Sequence, residues 1–305
     1  MNKNTELNAA KAAKKDEFYT QLSDIEEQLK HYTEHFRGKA VYSNCDDWRK
    51  SQFVKYFKDH FHELGLKKYI ATCYGRKDLF AHGEALWYEY DGTEEQHGEL
   101  EGDGDFRSLE CAAYLKQCDI IVTNPPFSLF REFVEILKAY RKGFLIIGHL
   151  NAVTYKEVFP MIKDNKMWMG PSIYGGEREF GTPKDYPLMA VGWRIDEQGR
   201  KFIRVKGVRW FTNLNYAKCH EPLILCRNYT PEAYPHYDNY DAIEVGHTKD
   251  IPMDYDGVMG VPITFLDKWC PEQFEVVDAD GWGVCPSFRL NGRQTYRRIL
   301  IRRKG

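Results

Sequence analysis

The stretch that decides the fold is Cys118–Phe127, which reads CDIIVTNPPF. Ile120 to Thr123 are four consecutive apolar or β-branched residues, a run that predicts a buried strand. The strand must stop at Asn124, because the two prolines that follow have a restricted φ and no backbone N–H to donate. Parallel strands buried on both faces have this continuous apolar character. The stretch therefore predicts an inner strand with Asn124–Phe127 at its carboxyl end.

Segments on both sides of this strand alternate between strand and helix patterns. Strands are predicted at 39–47, 67–74 and 143–150, and helices from Ser23, over 50–63, after 108 and from Ser128 to Tyr140. This alternation predicts an α/β fold with a doubly wound, mostly parallel sheet. Residues 1–165 are assigned to the core and 166–305 to the end of the sheet plus an added C-terminal region. Residues 75–102 match no simple pattern, and 200–214 indicates one or two strands.

Composition excludes several classes of protein. With 305 residues, of which 43% are hydrophobic, the chain can bury a full core, so wholesale disorder is excluded. Its mean hydropathy is −0.60, and no window approaches the ~20 apolar residues of a membrane span. The first residues lack the apolar centre of a secretory signal. We expect a soluble cytoplasmic protein. None of the eight cysteines forms a CxxC pair, so we expect mostly buried thiols and no metal site.

Charge is unevenly distributed along the chain. Residues 289–305 contain seven Lys or Arg and no acidic residue, although the net charge of the whole chain is −2. A basic end on an acidic body suggests a surface that faces a polyanion. Arg289, Arg293 and Arg297 recur at intervals of four in this segment. A second basic stretch surrounds Arg204. Both stretches also fit an ordinary solvated surface, and charge alone does not decide between the two interpretations.

The tetrapeptide Asn124-Pro125-Pro126-Phe127 carries the sharpest chemical signal. In a doubly wound sheet, ligands bind at the carboxyl ends of the strands. The stiff diproline presents the Pro125 carbonyl as an acceptor, and the Asn124 side-chain carbonyl is a second one. Two convergent acceptors suit an exocyclic –NH₂ group, whose lone pair they prepare to attack an electrophile. Phe127 offers a flat face for an unpaired base. The alternative is a strand-ending turn with a coincidental aromatic residue.

The tetrapeptide resembles motif IV of amino-group methyltransferases, in which (Asn/Asp/Ser)-Pro-Pro-(Tyr/Phe) ends the fourth strand. Upstream, the DEFYT segment at 16–20 looks like the cofactor-covering motif X, and GDGDF at 102–106 like the third-strand site for the cofactor adenine. S-adenosylmethionine has no phosphate but carries positive charge, so carboxylates after the first strand suit it. These carboxylates could equally cap a helix. The resemblance implies that the cofactor-binding residues are Phe18, Tyr19, Thr20, Asn44, Cys45, Asp46, Asp47, Asp103, Asp105 and Phe106.

Five segments in order make the resemblance more specific. They are VYSNCDD, LGLKK, GDGDFRS, TNPPF and GVMGVPITFLDKWCPEQFEV, and together they are similar to the EcoRI-type adenine-specific DNA methyltransferase family over about residues 16–303. Trp48 stands where the family pattern leads us to expect proline. The family implies methyl transfer from S-adenosylmethionine to the N6 amino group of adenine in a specific duplex DNA sequence. The added region, 166–305, would then recognise the target.

The resemblance also implies how the reaction proceeds and with which partners. A target adenine is extruded from the duplex into the Asn124–Phe127 pocket, and a monomer is sufficient. Arg204, Arg289, Arg293 and Arg297 are the expected DNA contacts. Two alternatives stay open: a methyltransferase acting on an RNA base or a protein glutamine amide, and an inactive DNA-binding relative. The sequence also leaves open the recognition sequence and whether a cognate restriction endonuclease exists.

Overall fold

The structure is a computed structural model that describes residues 18–75, 77–78, 81–82, 84–173, 175–182, 192–217, 219–280 and 287–304. Asp16 and Glu17 of the DEFYT segment and Cys285 lie outside these residues. The chain divides into two compact units, Met1–His149 with Gly175–Asn215 and Leu150–Tyr174 with Tyr216–Gly305. The first unit thus includes a segment that the sequence pattern assigned to the C-terminal region. None of the helices in the described ranges has the length and apolarity needed to cross a bilayer.

The strands, in chain order, are β1 Tyr19–Thr20, β2 Ala40–Ser43, β3 Lys68–Cys73, β4 Lys77–Asp78, β5 Ala81–His82, β6 Leu86–Tyr90, β7 Glu95–Glu99, β8 Ile120–Thr123, β9 Gly143–His149, β10 Trp168–Met169, β11 Glu177–Gly181, β12 Arg194–Ile195, β13 Lys201–Lys206, β14 Val208–Thr212, β15 Ile243–Glu244, β16 Met259–Pro262, β17 Phe274–Ala279, β18 Arg289–Leu290, β19 Arg293–Gln294 and β20 Arg298–Arg303. The α-helices are α1 Leu22–Leu29, α2 Thr33–Phe36, α3 Gln52–Asp59, α4 Phe61–Leu64, α5 Leu109–Gln117, α6 Phe130–Ala139 and α7 Phe159–Lys163. Short 3-10 helices span Phe127–Leu129, Leu150–Thr154, Thr248–Asp250 and Ile263–Lys268.

The main sheet of the first unit contains the strands predicted from apolar runs. Its strands follow the order β14-β9-β8-β2-β3-β6-β7. The inner strands β9, β8, β2 and β3 are parallel, as predicted. The flanking strands β14, β6 and β7 run antiparallel to their neighbours, so the sheet is mixed rather than mostly parallel. No helix occurs in the described part of 75–102, and a parallel connection would need such a crossover.

Two helix predictions need correction. The predicted helix at 50–63 is interrupted at His60, where α3 gives way to α4, and its cap is Ser51, whose Oγ accepts the Phe53 N–H. The helix predicted from Ser23 begins one residue earlier, at Leu22, so Ser23 lies inside it and cannot be its cap. Phe53, Phe57 and Phe61 recur at intervals of four in this segment, a spacing that predicts one apolar helix face, and all three are buried; the Phe57 ring stacks 5.0 Å from that of Tyr69 on β3.

Two smaller sheets complete the units. In the first unit, β1, β11, β13 and β12 form an antiparallel sheet in that order. In the second unit, β15, β16, β20 and β17 form a sheet in which only the pair of β15 and β16 is parallel among the described strands. A separate hairpin of β18 and β19 lies in the same unit. Cys73, Cys111, Cys118 and Cys270 are buried thiols, whereas Cys226 is exposed.

Candidate active site

Asn124 stands at the edge of the sheet where parallel strands end. It follows β8 directly, and β2, the parallel neighbour, ends at the same edge. The Asn124 amide nitrogen Nδ2 donates to the Phe18 carbonyl oxygen at 2.8 Å and to Thr20 Oγ1 at 3.3 Å. The Phe18 carbonyl can only accept, so this bond fixes which end of the amide is Nδ2. Among the described residues, Oδ1 accepts no hydrogen bond, so it is the acceptor that this side chain presents.

The segment that orients Asn124 is held by a sheet. β1 pairs antiparallel with β11, with Tyr19 opposite Gly181 and Thr20 opposite Phe180. Thr20 is buried, with 4% of its surface exposed. The ladder fixes the backbone of residues 18–20, and so it fixes the two acceptors that hold the Asn124 amide. The predicted motif X residues and motif IV residues are thus in direct contact.

The diproline starts a helical turn and directs Phe127. The Pro126 carbonyl accepts the Leu129 N–H at 3.0 Å, which closes the 3-10 turn before α6. No backbone N–H among the described residues donates to the Pro125 carbonyl. Phe127 is half-buried, and its ring packs edge-on against Phe18, with 5.9 Å between centroids. Phe127 is therefore a supported aromatic wall next to the Asn124 amide.

Asp46 ties together the ends of three strands. Its N–H donates to Thr72 on β3 at 2.8 Å, while its carboxylate accepts from Ser51 Oγ at 2.7 Å and from Thr123 Oγ1 at 2.6 Å. Burial raises the pKa of Asp46 to about 6, although the Thr123 and Ser51 hydroxyls act in the opposite direction. The carboxyl is therefore ionised at neutral pH next to the residue that precedes Asn124.

The neighbours of Asp46 have different environments. Asp47 accepts hydrogen bonds from Arg49, which outweigh its partial burial and lower its pKa. Asn44 is buried, and its Oδ1 has no hydrogen-bond partner in the described part of the chain. Cys45 is half-buried. The alternative interpretation was that Asp46 or Asp47 caps a helix. Ser51 caps α3 instead, and its hydroxyl also donates to Asp46.

The GDGDF loop packs its backbone against the end of β3. Gly75 N–H donates to the Asp103 carbonyl at 2.8 Å. Gly104 has φ +74°, and a Cβ there would overlap the Cys73 carbonyl oxygen, so only glycine fits. The Asp105 carboxylate pairs with Arg107, with a closest approach of 2.5 Å.

Phe106 lies in the core rather than at the surface. Only 5% of it is exposed, and its ring packs edge-on against Phe133 of α6, with 5.0 Å between centroids. Phe106 therefore anchors the loop in the core, and backbone contact holds the loop at the end of β3.

Sequence reasoning did not identify several residues that organise this site. Thr123 and Ser51 hold the Asp46 carboxylate, Phe180 packs 6.0 Å from Phe18, and Arg49 and Arg107 pair with the predicted carboxylates. The hydroxyl of Thr123, one residue before Asn124, was a usable signal. No sequence signal pointed to Phe180, because it lies 162 positions from Phe18. Only the pairing of β1 with β11 brings the two rings together.

The residues at this edge suit S-adenosylmethionine chemically. An ionised Asp46, the unpartnered Asn44 carbonyl and the absence of a glycine-rich phosphate loop in 44–47 match a cationic ligand without phosphate. Which of the predicted residues touch the cofactor stays a prediction.

The predicted DNA-contacting arginines have unequal surroundings. In the first unit, Arg204 on β13 is exposed, with Nε 4.0 Å from Glu179 Oε2. In the second unit, Arg297 is half-buried and donates to Thr154 Oγ1. Arg289 and Arg293 are exposed on the β18–β19 hairpin and make no ion pair with any described residue. Their role in DNA binding stays a prediction.

The chain is similar to known methyltransferases over nearly its whole length. A family model described as adenine-specific methyltransferase EcoRI matches residues 6–285. The chain is 49% identical to Type II methyltransferase M.EcoRI of Escherichia coli, over 98% of this chain and 96% of that one. It is 35% identical to M.MgeORF184P of Mycoplasma genitalium and 36% identical to M.MpnI of Mycoplasma pneumoniae, each over 98% of both chains. No solved structure matches.

Proposed function

The chain belongs to the EcoRI family of adenine-specific methyltransferases, and from this premise we propose that it methylates the N6 amino group of adenine in a specific duplex DNA sequence. The methyl donor is S-adenosylmethionine. The observation that carries the proposal is the orientation of the Asn124 amide. Because Phe18 and Thr20 take its two hydrogens, Oδ1 is left to accept from an amino group.

The chain's own residues prepare the adenine amino group. Asn124 Oδ1 and the Pro125 carbonyl each accept one of its hydrogens, which favours a pyramidal nitrogen with an available lone pair. Bound S-adenosylmethionine supplies an activated methyl group. Holding the two reacting atoms in line accounts for much of the rate, as it does for other bimolecular reactions on enzymes. Phe127 stacks on the base, supported from behind by Phe18.

The amino group of adenine is poorly accessible in a stacked duplex. We infer that the adenine is flipped out before transfer, at a cost of a few kcal/mol that is typical of such enzymes. The half-buried Phe127 ring replaces part of the stacking that the base loses. We also propose that this activity is located in the cytoplasm of a bacterial or phage-infected cell, where the DNA lies. The chain acts as a monomer, and its restriction endonuclease, where one exists, is a separate protein.

Replacing Asn124 tests this assignment. Asn124→Ala removes the side-chain acceptor, so we expect methyl transfer to fall below detection while affinity for S-adenosylmethionine changes only a few-fold. Asn228→Ala, at an exposed asparagine of the second unit, is the matched control and should transfer normally. Transfer of radiolabelled methyl groups is measured on DNA, RNA and protein substrates. Normal transfer by Asn124→Ala, or labelling of RNA or protein in preference to DNA, would refute the assignment.

A further inference from the structure

The β18–β19 hairpin is a short ribbon with a two-residue turn. Leu290 is paired with Arg293, and Arg289 with Gln294. The turn residues Asn291 and Gly292 both have positive φ, 51° and 74°, which is the geometry of a type I′ turn. Such a turn matches the natural twist of a hairpin, so the two short strands pair in register on either side of it.

The two faces of the ribbon differ. The Thr295 N–H donates to the Phe288 carbonyl at 2.9 Å, and Phe288 is 1% exposed in a cluster with Tyr237, Ala242 and Leu300. Side chains alternate along a strand, so Arg289 and Gln294 point to the face opposite Phe288, away from this core. Pair types also alternate, so Arg289 and Gln294 form a non-hydrogen-bonded pair, whose side chains lie closer together.

Side chains of the preceding segment hold the ribbon in place. The Asp238 carboxylate accepts the N–H groups of Asn291 at 3.2 Å and of Gly292 at 2.7 Å. Asn239 Oδ1 accepts the Arg289 N–H at 2.9 Å, and the Arg289 carbonyl accepts the Asp238 N–H at the same distance. An exposed tip with this many anchors is ordered before it meets a partner, which lowers the entropy lost on binding.

Ion pairing distinguishes the arginines of this ribbon from those of β20. Arg298 pairs with Glu244, Arg302 with Glu275 and Arg303 with Asp256. Arg289 and Arg293, by contrast, have no ion pair with the described residues, and residues 288–296 contain no acidic side chain. Asp238, the nearby carboxylate, is engaged with the backbone of the tip. The ribbon therefore offers uncompensated positive charge together with exposed amide groups.

We propose that Arg289 and Gln294 are specificity-determining residues that read base edges in the major groove of the target. The proposal rests on the proposed function. A two-stranded ribbon fits the major groove, where arginine makes a bidentate contact with guanine and glutamine with adenine. The close cross-strand spacing of the pair is comparable to the rise of about 3.4 Å between base pairs. Arg289 and Gln294 thus read a guanine and an adenine on neighbouring base pairs, and Arg293, on the other face, contacts phosphate.

Selection of bound duplexes from a randomised pool tests this proposal, with the full chain and the variants Arg289→Lys and Gln294→Ala. Arg289→Lys keeps the charge but loses the bidentate fork, so preference for one guanine should disappear. Gln294→Ala should lose preference for a neighbouring adenine. Each variant should bind the wild-type site about 5- to 150-fold more weakly. The controls Arg302→Ala and Gln96→Ala, also at exposed strand positions, should enrich the wild-type sequence.

Sequence-specific binding and methyl transfer are measured separately, so the two proposals can fail independently. Enrichment of an unchanged sequence by both variants would overturn the proposal, as would a wild-type chain that enriches no sequence. Methyl transfer to the enriched duplex is measured separately. A wild-type chain that enriches a sequence, loses it in the variants and yet methylates nothing would support base reading while refuting the proposed function.

Discussion

The orientation of the Asn124 side-chain amide is set by its hydrogen-bond partners. The side chain has an oxygen and an NH₂ group of nearly equal size, so the residue type alone does not decide which group faces a ligand. The Phe18 carbonyl decides it here, because a carbonyl oxygen only accepts and the NH₂ group is the end of the amide that can donate to it; Thr20 Oγ1 accepts a second hydrogen bond from the same NH₂ group. The catalytic proposal therefore depends on a backbone carbonyl 106 positions away from Asn124.

Thr20 should act as a positioning residue for Asn124. Thr20→Val preserves the shape but removes the acceptor at 3.3 Å, so the amide is held by the Phe18 carbonyl alone. We expect kcat for methyl transfer to fall about 10-fold, in line with the loss of roughly 1.4 kcal/mol of positioning. Thr20→Ser should restore kcat. Equal kcat values for valine and threonine would contradict this role.

Asp46 should make folding stability depend on pH in a predictable direction. Its folded pKa of about 6 exceeds the ordinary value of 3.8, so its contribution to stability is complete below the ordinary value and is lost as pH rises through about 6. Asp46→Asn removes this dependence. From pH 4.5 to pH 7, the free energy of unfolding of the wild type should fall by about 2 kcal/mol more than that of Asp46→Asn. Urea unfolding at each pH measures the difference, and parallel stability curves would contradict the assignment.

At the scale of elements, the site is built where strands end. β8 ends at a diproline, β2 ends before Asn44–Asp47, and the loop after β7 returns to the end of β3. The last of these contacts is backbone on backbone, so it needs a residue without a side chain. Gly104 meets that requirement at the point where the loop crosses the Cys73 carbonyl.

Gly104→Ala should therefore destabilise the fold more than a change of φ alone explains. Gly104 and Gly199 have nearly the same φ, +74° and +75°, but a Cβ at Gly199 would meet nothing within 4 Å. Gly199→Ala should cost about 1 kcal/mol, for the left-handed backbone only. Gly104→Ala should cost at least about 2 kcal/mol more, since the loop must move away from β3. Urea denaturation of both variants compares them, and equal losses would contradict the close approach.

At the scale of the whole molecule, charge is distributed for selective contact with a polyanion. The net charge is only −2, so overall attraction to DNA is weak and binding depends on local basic groups. All three arginines of β20 are paired with carboxylates, whereas Arg289 and Arg293 have no ion pair with the described residues. DNA binding should then depend on few residues rather than on a broad basic surface.

Salt dependence of DNA binding measures this distribution. Affinity should fall as salt rises, because each phosphate contact releases counterions. Arg293→Ala should reduce the slope of log K against log salt by about 1. Arg302→Ala removes the same charge from a residue paired with Glu275, so the slope should change little. A slope that is unchanged in Arg293→Ala, or affinity independent of salt, would exclude the proposed phosphate contact.

The amino-acid sequence by itself determined the parallel inner strands, the aromatic face of α3 and the position of the Asn124–Phe127 corner. These follow from apolar runs and prolines, which act over a few residues. Only the tertiary structure decided the orientation of the Asn124 amide, the sharing of the Asp46 carboxylate by Ser51 and Thr123, and the antiparallel flanks of the sheet. The physical reason is separation along the chain. Phe18 lies 106 positions from Asn124, and Asp46 lies 77 from Thr123, so strand pairing alone brings their polar groups within hydrogen-bonding distance.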